Sequence, residues 1–166
     1  MKNLFLLIIL LILYSCGGFE FVHKTNTYKL ALEEKTSIEV NGDSENDIRV
    51  ILREIIGNNI NEFPKFRLSV DSLKIETPAV INKDATVAKY NIEYKIKYQI
   101  YNFYKNCNVY GNTVATLNSY NARSAGYSFG TDLSQKETSL ENINKNIGEF
   151  FSFLDSARSE LNICID

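Results

Sequence analysis

A chain of 166 residues with 18 basic and 20 acidic side chains carries a formal charge of −2, far from the strongly positive field that nucleic acid selects. No basic stripe with interleaved aromatics is present, so no nucleic-acid partner is expected. The single histidine, His23, rules out a histidine triad or a multi-histidine metal site, and Cys107 and Cys164 have no neighbouring base or CxxC partner that would make a thiol catalyst.

The chain opens with Lys2 in a three-residue head, an unbroken apolar run from Leu4 to Leu13, and then Tyr14-Ser15-Cys16-Gly17. That run is about ten residues, whereas a bilayer-spanning helix needs ~20. A charged head, a short apolar core and a small residue before the cut mark residues 1–15 as a secretory signal peptide. Leu13-Tyr14-Ser15-Cys16 resembles the lipobox of bacterial lipoproteins, although Tyr14 stands where a small residue is usual. The resemblance implies cleavage before Cys16 and a covalent lipid on it, an S-diacylglycerol with an N-acyl chain such as palmitate. No other cofactor is expected. The mature chain is then about 150 residues, a natural size for one domain with one core.

Residues 16–36 read as a lipidated N-terminal tether with a few docked aromatics, and residues 37–166 as a single α+β domain. Thr36 to Val40 is a short β-prone run closed by the turn pair Asn41-Gly42. Ser44, with Asp47 three residues on, predicts an N-cap and capping box for a helix. Ile48, Ile51, Leu52, Ile55 and Ile56 then form one apolar stripe, and Gly57 ends it.

Phe66 to Glu76 reads as a strand in which Phe66, Leu68 and Val70 share a face before Leu73 and Ile75 take the other. That switch predicts a bulge near Asp71 and Ser72, with Pro64 and Pro78 just outside the strand. Between Ala88 and Ile100, Tyr90, Ile92, Tyr94, Ile96, Tyr98 and Ile100 point one way, while Lys89, Asn91, Glu93, Lys95, Lys97 and Gln99 point the other. Such alternation places one face on a core and the other toward water or a polar partner. A turn at Lys105 to Asn108 leads to a last strand, Val109 to Ser124. Ser134 with Glu137 predicts the start of a long helix, whose stripe is Leu140, Ile143, Ile147, Phe150, Leu154, Ala157 and Leu161.

The order is β-α-β-β-β-α. The first crossover makes its strands parallel and the later hairpins are antiparallel. The fold class is therefore α+β, a two-layer sandwich with two helices on one face of a mixed four-stranded sheet.

Export leaves Cys107 and Cys164, a pair that can form a disulfide or remain as two buried thiols. The last strand runs roughly 50 Å at ~3.3 Å per residue, and a helix from Ser134 to Ile163 returns roughly 45 Å at ~1.5 Å per residue. Those lengths bring the helix end back to the turn that carries Cys107 and put a Cys107–Cys164 disulfide within reach.

Chemistry-bearing motifs are absent: no Gly-rich phosphate loop, GxSxG elbow or calcium loop is found. Asp84 and Asp132 are loop acids suited to turns or caps. No catalytic residue and no metal site is expected, and the sequence reads as a non-enzyme. Lys89, Lys95 and Lys97 form either a plain solvated outer face or a contact surface for an anionic or polar partner.

Taken together, these features resemble the LptE family of lipopolysaccharide-assembly lipoproteins. The likeness is carried by Cys16-Gly17 followed by Phe19, by a short strand and amphipathic helix, and by two short motifs. Ala88-Lys89-Tyr90 resembles the A-x-Y stretch opening the family's long strand, and Asn118-Ser119-Tyr120-Asn121 the "SYN" run near the end of the last one. The resemblance implies a lipoprotein anchored on the periplasmic side of the outer membrane. Such a protein would plug an LptD-like outer-membrane β-barrel, support its assembly and touch lipopolysaccharide during export. Gly17 fits outer-membrane sorting. Counting back from Tyr90, Lys83 and then Lys89 are the implied lipopolysaccharide contacts. The chain departs from the family in its longer last strand and in lacking a long polar C-terminal tail. The competing expectation is a stand-alone periplasmic lipoprotein that binds a small ligand or acts as an envelope scaffold.

Overall fold

A computed structural model describes residues 32–58, 63–122, 128–157 and 164–165. The expected signal peptide, Cys16, His23 and the tether through residue 31 lie outside them, as do Ser124, Leu161 and Ile163. The elements are β1 (Thr36–Gly42), α1 (Glu45–Ile56), β2 (Phe66–Ile81), β3 (Val87–Asn102), β4 (Cys107–Asn121) and α2 (Ser128–Ser156). The four strands lie side by side in chain order, β1 parallel to β2 and the other pairs antiparallel. Both helices pack on one face, giving the expected two-layer α+β arrangement.

Strand β3 organises the core. Ile92, Tyr94, Ile96, Tyr98 and Ile100 have no exposed surface, while the intervening Lys95 and Lys97 are exposed. Period-2 alternation buries every second side chain, and each large one so buried stabilises the fold by about 1.5–3 kcal/mol. From α1, Ile48, Leu52 and Ile56 meet this layer, and from α2 Ile143, Ile147, Phe150 and Leu154. The Tyr98 ring stacks on Phe150 at 4.0 Å between centroids.

The expected bulge near Asp71 and Ser72 is not formed. Pairing with β3 runs unbroken from Phe66 opposite Asn102 to Pro78 opposite Tyr90, and the register shifts only between Pro78 and Val80 and between Val80 and Ile81. The inward face is kept throughout β2, but past Ser72 it carries Lys74 and Glu76 in place of apolar residues. Leu73 and Ile75 remain on the outer face. The reason lies in β1, which stops at Gly42 opposite Ser72. Gly42 sits at φ 97°, and a Cβ there would come within 2.1 Å of the Ser72 carbonyl oxygen, so the crossover can leave the sheet only through glycine. The Asp43 carboxylate then accepts the Lys74 backbone N–H at 2.7 Å, closing the vacated edge. Pro78 lies inside β2, not beyond it. Here β2 is an edge strand, where the missing N–H is tolerated.

Three boundaries also differ from expectation. Ser44 precedes α1 but makes no side-chain cap; at φ 56° its hydroxyl turns away and pairs with the Tyr94 hydroxyl at 2.7 Å. The capping box with Asp47 is thus not formed, although Glu45 and Asp47 still place negative charge at the helix's positive end. Helix α2 starts at Ser128, so Ser134 and Glu137 are interior residues and Asp132 is helical. At the front of the domain, Leu32 is fully buried and Thr36 opens β1, so the end of the expected tether belongs to the core. Cys107 and Cys164 are joined by a disulfide, with Cα atoms 5.7 Å apart.

Candidate functional site

The helices leave the second face of the sheet open. Its rows run across β2, β3 and β4 as Asp71-Lys97-Thr113, Leu73-Lys95-Ala115, Ile75-Glu93-Leu117 and Thr77-Asn91-Ser119. Charges of both signs and small polar residues are mixed there with Leu73, Ile75, Ala115 and Leu117, and Lys95 pairs with Glu93 at 3.4 Å. Leu73 and Leu117 are 52 % and 57 % exposed within this polar field. A sheet face of this kind can hydrogen-bond along its side chains and bury two leucines against a partner. Among the described residues no cluster of three or more His, Cys, Asp or Glu side chains could hold a metal ion, and no helix is long and apolar enough to cross a membrane.

Beyond Gly42 the three strands β2, β3 and β4 continue without β1 and end at the turn between β2 and β3. Asp84 builds that turn, accepting the Thr86 hydroxyl at 2.7 Å and its backbone N–H at 3.1 Å. Those two bonds, the hydroxyl first, hold the Asp84 carboxyl below its ordinary value. Asn82 closes the turn from its backbone N–H to the Thr86 carbonyl at 2.8 Å. Lys83 therefore stands exposed at the tip on a hydrogen-bonded scaffold. Lys89 is half-buried on the open face, between Val80 and Asn121. Of the other outer lysines, Lys95 is already paired and Lys97 lies across from Asp71. The lysines thus belong to a mixed-charge surface and not to a basic patch.

The two short motifs meet across one strand boundary. Tyr90 pairs with Tyr120 in register, and their rings stack at 5.5 Å on the helix side of the sheet. Glu76 joins them there. It accepts the Gln135 amide at 2.7 Å and also the Tyr120 hydroxyl, with the Lys74 ammonium at 3.6 Å. Burial raises the Glu76 pKa, but the bonds from Tyr120 and Gln135 and the charge of Lys74 outweigh it and hold the carboxyl below its ordinary 4.5. Burial, and then the bond to Glu76, push the Tyr120 hydroxyl up. This cluster fastens the first turns of α2 over the projecting strands.

A second polar feature escaped sequence reasoning. Asn142 and Asn146, one turn apart on α2, are fully buried. The Asn146 amide donates to the Val114 carbonyl and the Thr116 hydroxyl, each at 3.0 Å, while its oxygen accepts the Tyr98 hydroxyl at 2.8 Å. Asn142 donates to the Ile92 carbonyl at 2.8 Å. Two asparagines at i and i+4 beside Ile143 and Ile147 were the available signal. Their role is to set the helix register on β3 and β4.

The sequence matches no protein-family model and no curated protein. The fold, however, has clear counterparts. A candidate lipoprotein from Caulobacter crescentus superposes with a TM-score of 0.62 at 7 % identity, covering 80 % of this chain and 96 % of its own. The rare lipoprotein B of Shewanella oneidensis gives 0.55 at 11 % identity, covering 76 % and 97 %. A lipoprotein B from Nitrosomonas europaea gives 0.57 at 7 % identity, covering 75 % and 83 %. This chain has the fold of these lipoproteins.

Proposed function

We propose that the protein is an LptE-like outer-membrane lipoprotein, acylated at Cys16, whose domain fills an LptD-like β-barrel and supports assembly of that barrel for lipopolysaccharide transport. It acts by contact and not by catalysis. The observation that carries this reading is the open sheet face. It is long, mixed in charge and marked by two exposed leucines, on a domain that shares its fold with lipoproteins. Such a surface suits a wet, extensive interface with polar barrel-lining side chains. The projection of β2, β3 and β4 past β1 supplies a narrow end able to enter a lumen, with Lys83 at its tip for contact with lipopolysaccharide phosphate.

The test is depletion of the protein in its own cells, combined with its recovery from detergent-solubilised outer membranes. The proposal expects less correctly assembled barrel, less lipopolysaccharide at the surface, and a very large β-barrel recovered with the wild-type chain. Reversing Lys83 and Lys89 to glutamate should weaken lipopolysaccharide binding with the fold intact. Unchanged barrel and surface lipopolysaccharide on depletion would instead favour the stand-alone periplasmic lipoprotein.

A further inference from the structure

The end of the sheet opposite the tip has its own surface chemistry. Phe63 is 82 % exposed, Tyr104 77 % and Phe103 42 %, and with Pro64 they line a shallow cleft of about 360 Å³. Exposed aromatics scattered singly need no explanation, but three gathered at one end do. They are held in place by backbone bonds: Lys65 donates its N–H to the Lys35 carbonyl at 2.8 Å, and Phe103 to the Lys65 carbonyl at 3.1 Å. The Arg67 guanidinium lies over the rings of Tyr101 and Phe103 at 5.2 and 5.8 Å. Lys35 and Lys65 are exposed beside them. Lys35 also belongs to the turn that follows Leu32, the first described residue, so the described chain begins at this same end.

We propose that this base is a membrane-contact surface, with Phe63, Phe103 and Tyr104 seated at the headgroup and acyl boundary of the bilayer and Lys35, Lys65 and Arg67 at the phosphate level. Aromatic rings favour that depth, and basic side chains favour the phosphates above it. Glu33 and Glu34 share the entry turn with Lys35, so the rings and not net charge carry the contact. This contact belongs to the anchored domain before it enters a barrel, and it leaves the Lys83 turn free to enter the lumen. The proposal rests on the reading of Cys16 as lipid-bearing only for how the protein reaches the bilayer.

The sequence contains no tryptophan, so a single substitution supplies a unique fluorophore. The mature chain carrying Phe63→Trp, Tyr104→Trp or, at the far end, Val80→Trp is placed on phosphatidylethanolamine–phosphatidylglycerol vesicles with and without brominated acyl chains. It is held there by its own lipid. If Cys16 proves unacylated, its thiol, the one not engaged in the disulfide, is coupled to a maleimide lipid instead. Failure of acylation is thus separated from failure of the base contact. Blue-shifted emission and about two-fold quenching are expected at positions 63 and 104, with none at position 80. Absence of quenching at both base positions overturns the proposal. So does equal quenching at position 80, and so does a response at the base only when purified barrel is added, which would mark the base as a protein contact.

Discussion

The two faces of the sheet are made by the same strands and follow different rules. On β3, Tyr94, Ile96 and Tyr98 are sealed beneath the helices, while Lys95 and Lys97 between them are exposed. The covered face is specified by packing, so its residues have few acceptable replacements. In the proposed function the open face is specified by the barrel wall it meets. There the domain retains Leu73 and Leu117 in exposed positions where a free-standing sheet would do as well with polar side chains. The proposed function thereby divides stability and partner contact between alternate residues of one backbone.

The covered face should break first. Tyr98→Ala removes the stack on Phe150 and the bond to Asn146, and is expected to cost about 3–5 kcal/mol in urea unfolding. Asn146→Ala should follow at about 2–3 kcal/mol, because it strands the Tyr98 hydroxyl and withdraws a donor from the Val114 carbonyl. A loss under about 0.5 kcal/mol for either would mean that the helix register is set elsewhere.

Glu76 sharpens the boundary between the two regimes. Its carboxyl is held below the ordinary value of 4.5, so its contribution is complete above that pH and is lost as the pH falls through the folded-state value. Because the group is partly open to water, that contribution should stay under about 1 kcal/mol. Glu76→Gln is expected to lower stability at neutral pH and to match the wild type in acid. A difference that grows as pH falls would contradict the assignment.

The smallest stability effect belongs to the open face. Leu73→Asp with Leu117→Asp should change the unfolding free energy by no more than about 0.5 kcal/mol at each site, since more than half of each residue is already exposed. The same pair should sharply reduce the barrel recovered with the protein.

The β3 alternation was legible in the sequence because its period never breaks, and the order of elements followed from it. The change of pattern in β2 misled for a physical reason. Leu73 and Ile75 look like a core face, and only the early end of β1 at Gly42 explains why Lys74 and Glu76 lie on the helix side. Ser134 with Glu137 imitated a helix start inside α2, since a capping-box pattern cannot show that helix already precedes it. Ser44 was placed correctly at the head of α1, but its hydroxyl went to Tyr94, fifty residues away in sequence. The spacing of Asn142 and Asn146 stands in the sequence, but their partners, like the gathering of the exposed aromatics at the base, were invisible for the same reason. Their meaning depends on which strand ends the fold brings together.

The central claim is that the open face lies against a barrel wall. Site-specific photocrosslinking from position 97, in living cells, addresses it most directly. The account predicts one high-mass adduct containing an outer-membrane β-barrel, much reduced when Leu73 and Leu117 are both changed to aspartate. No adduct, or an adduct only with soluble periplasmic protein, would contradict it.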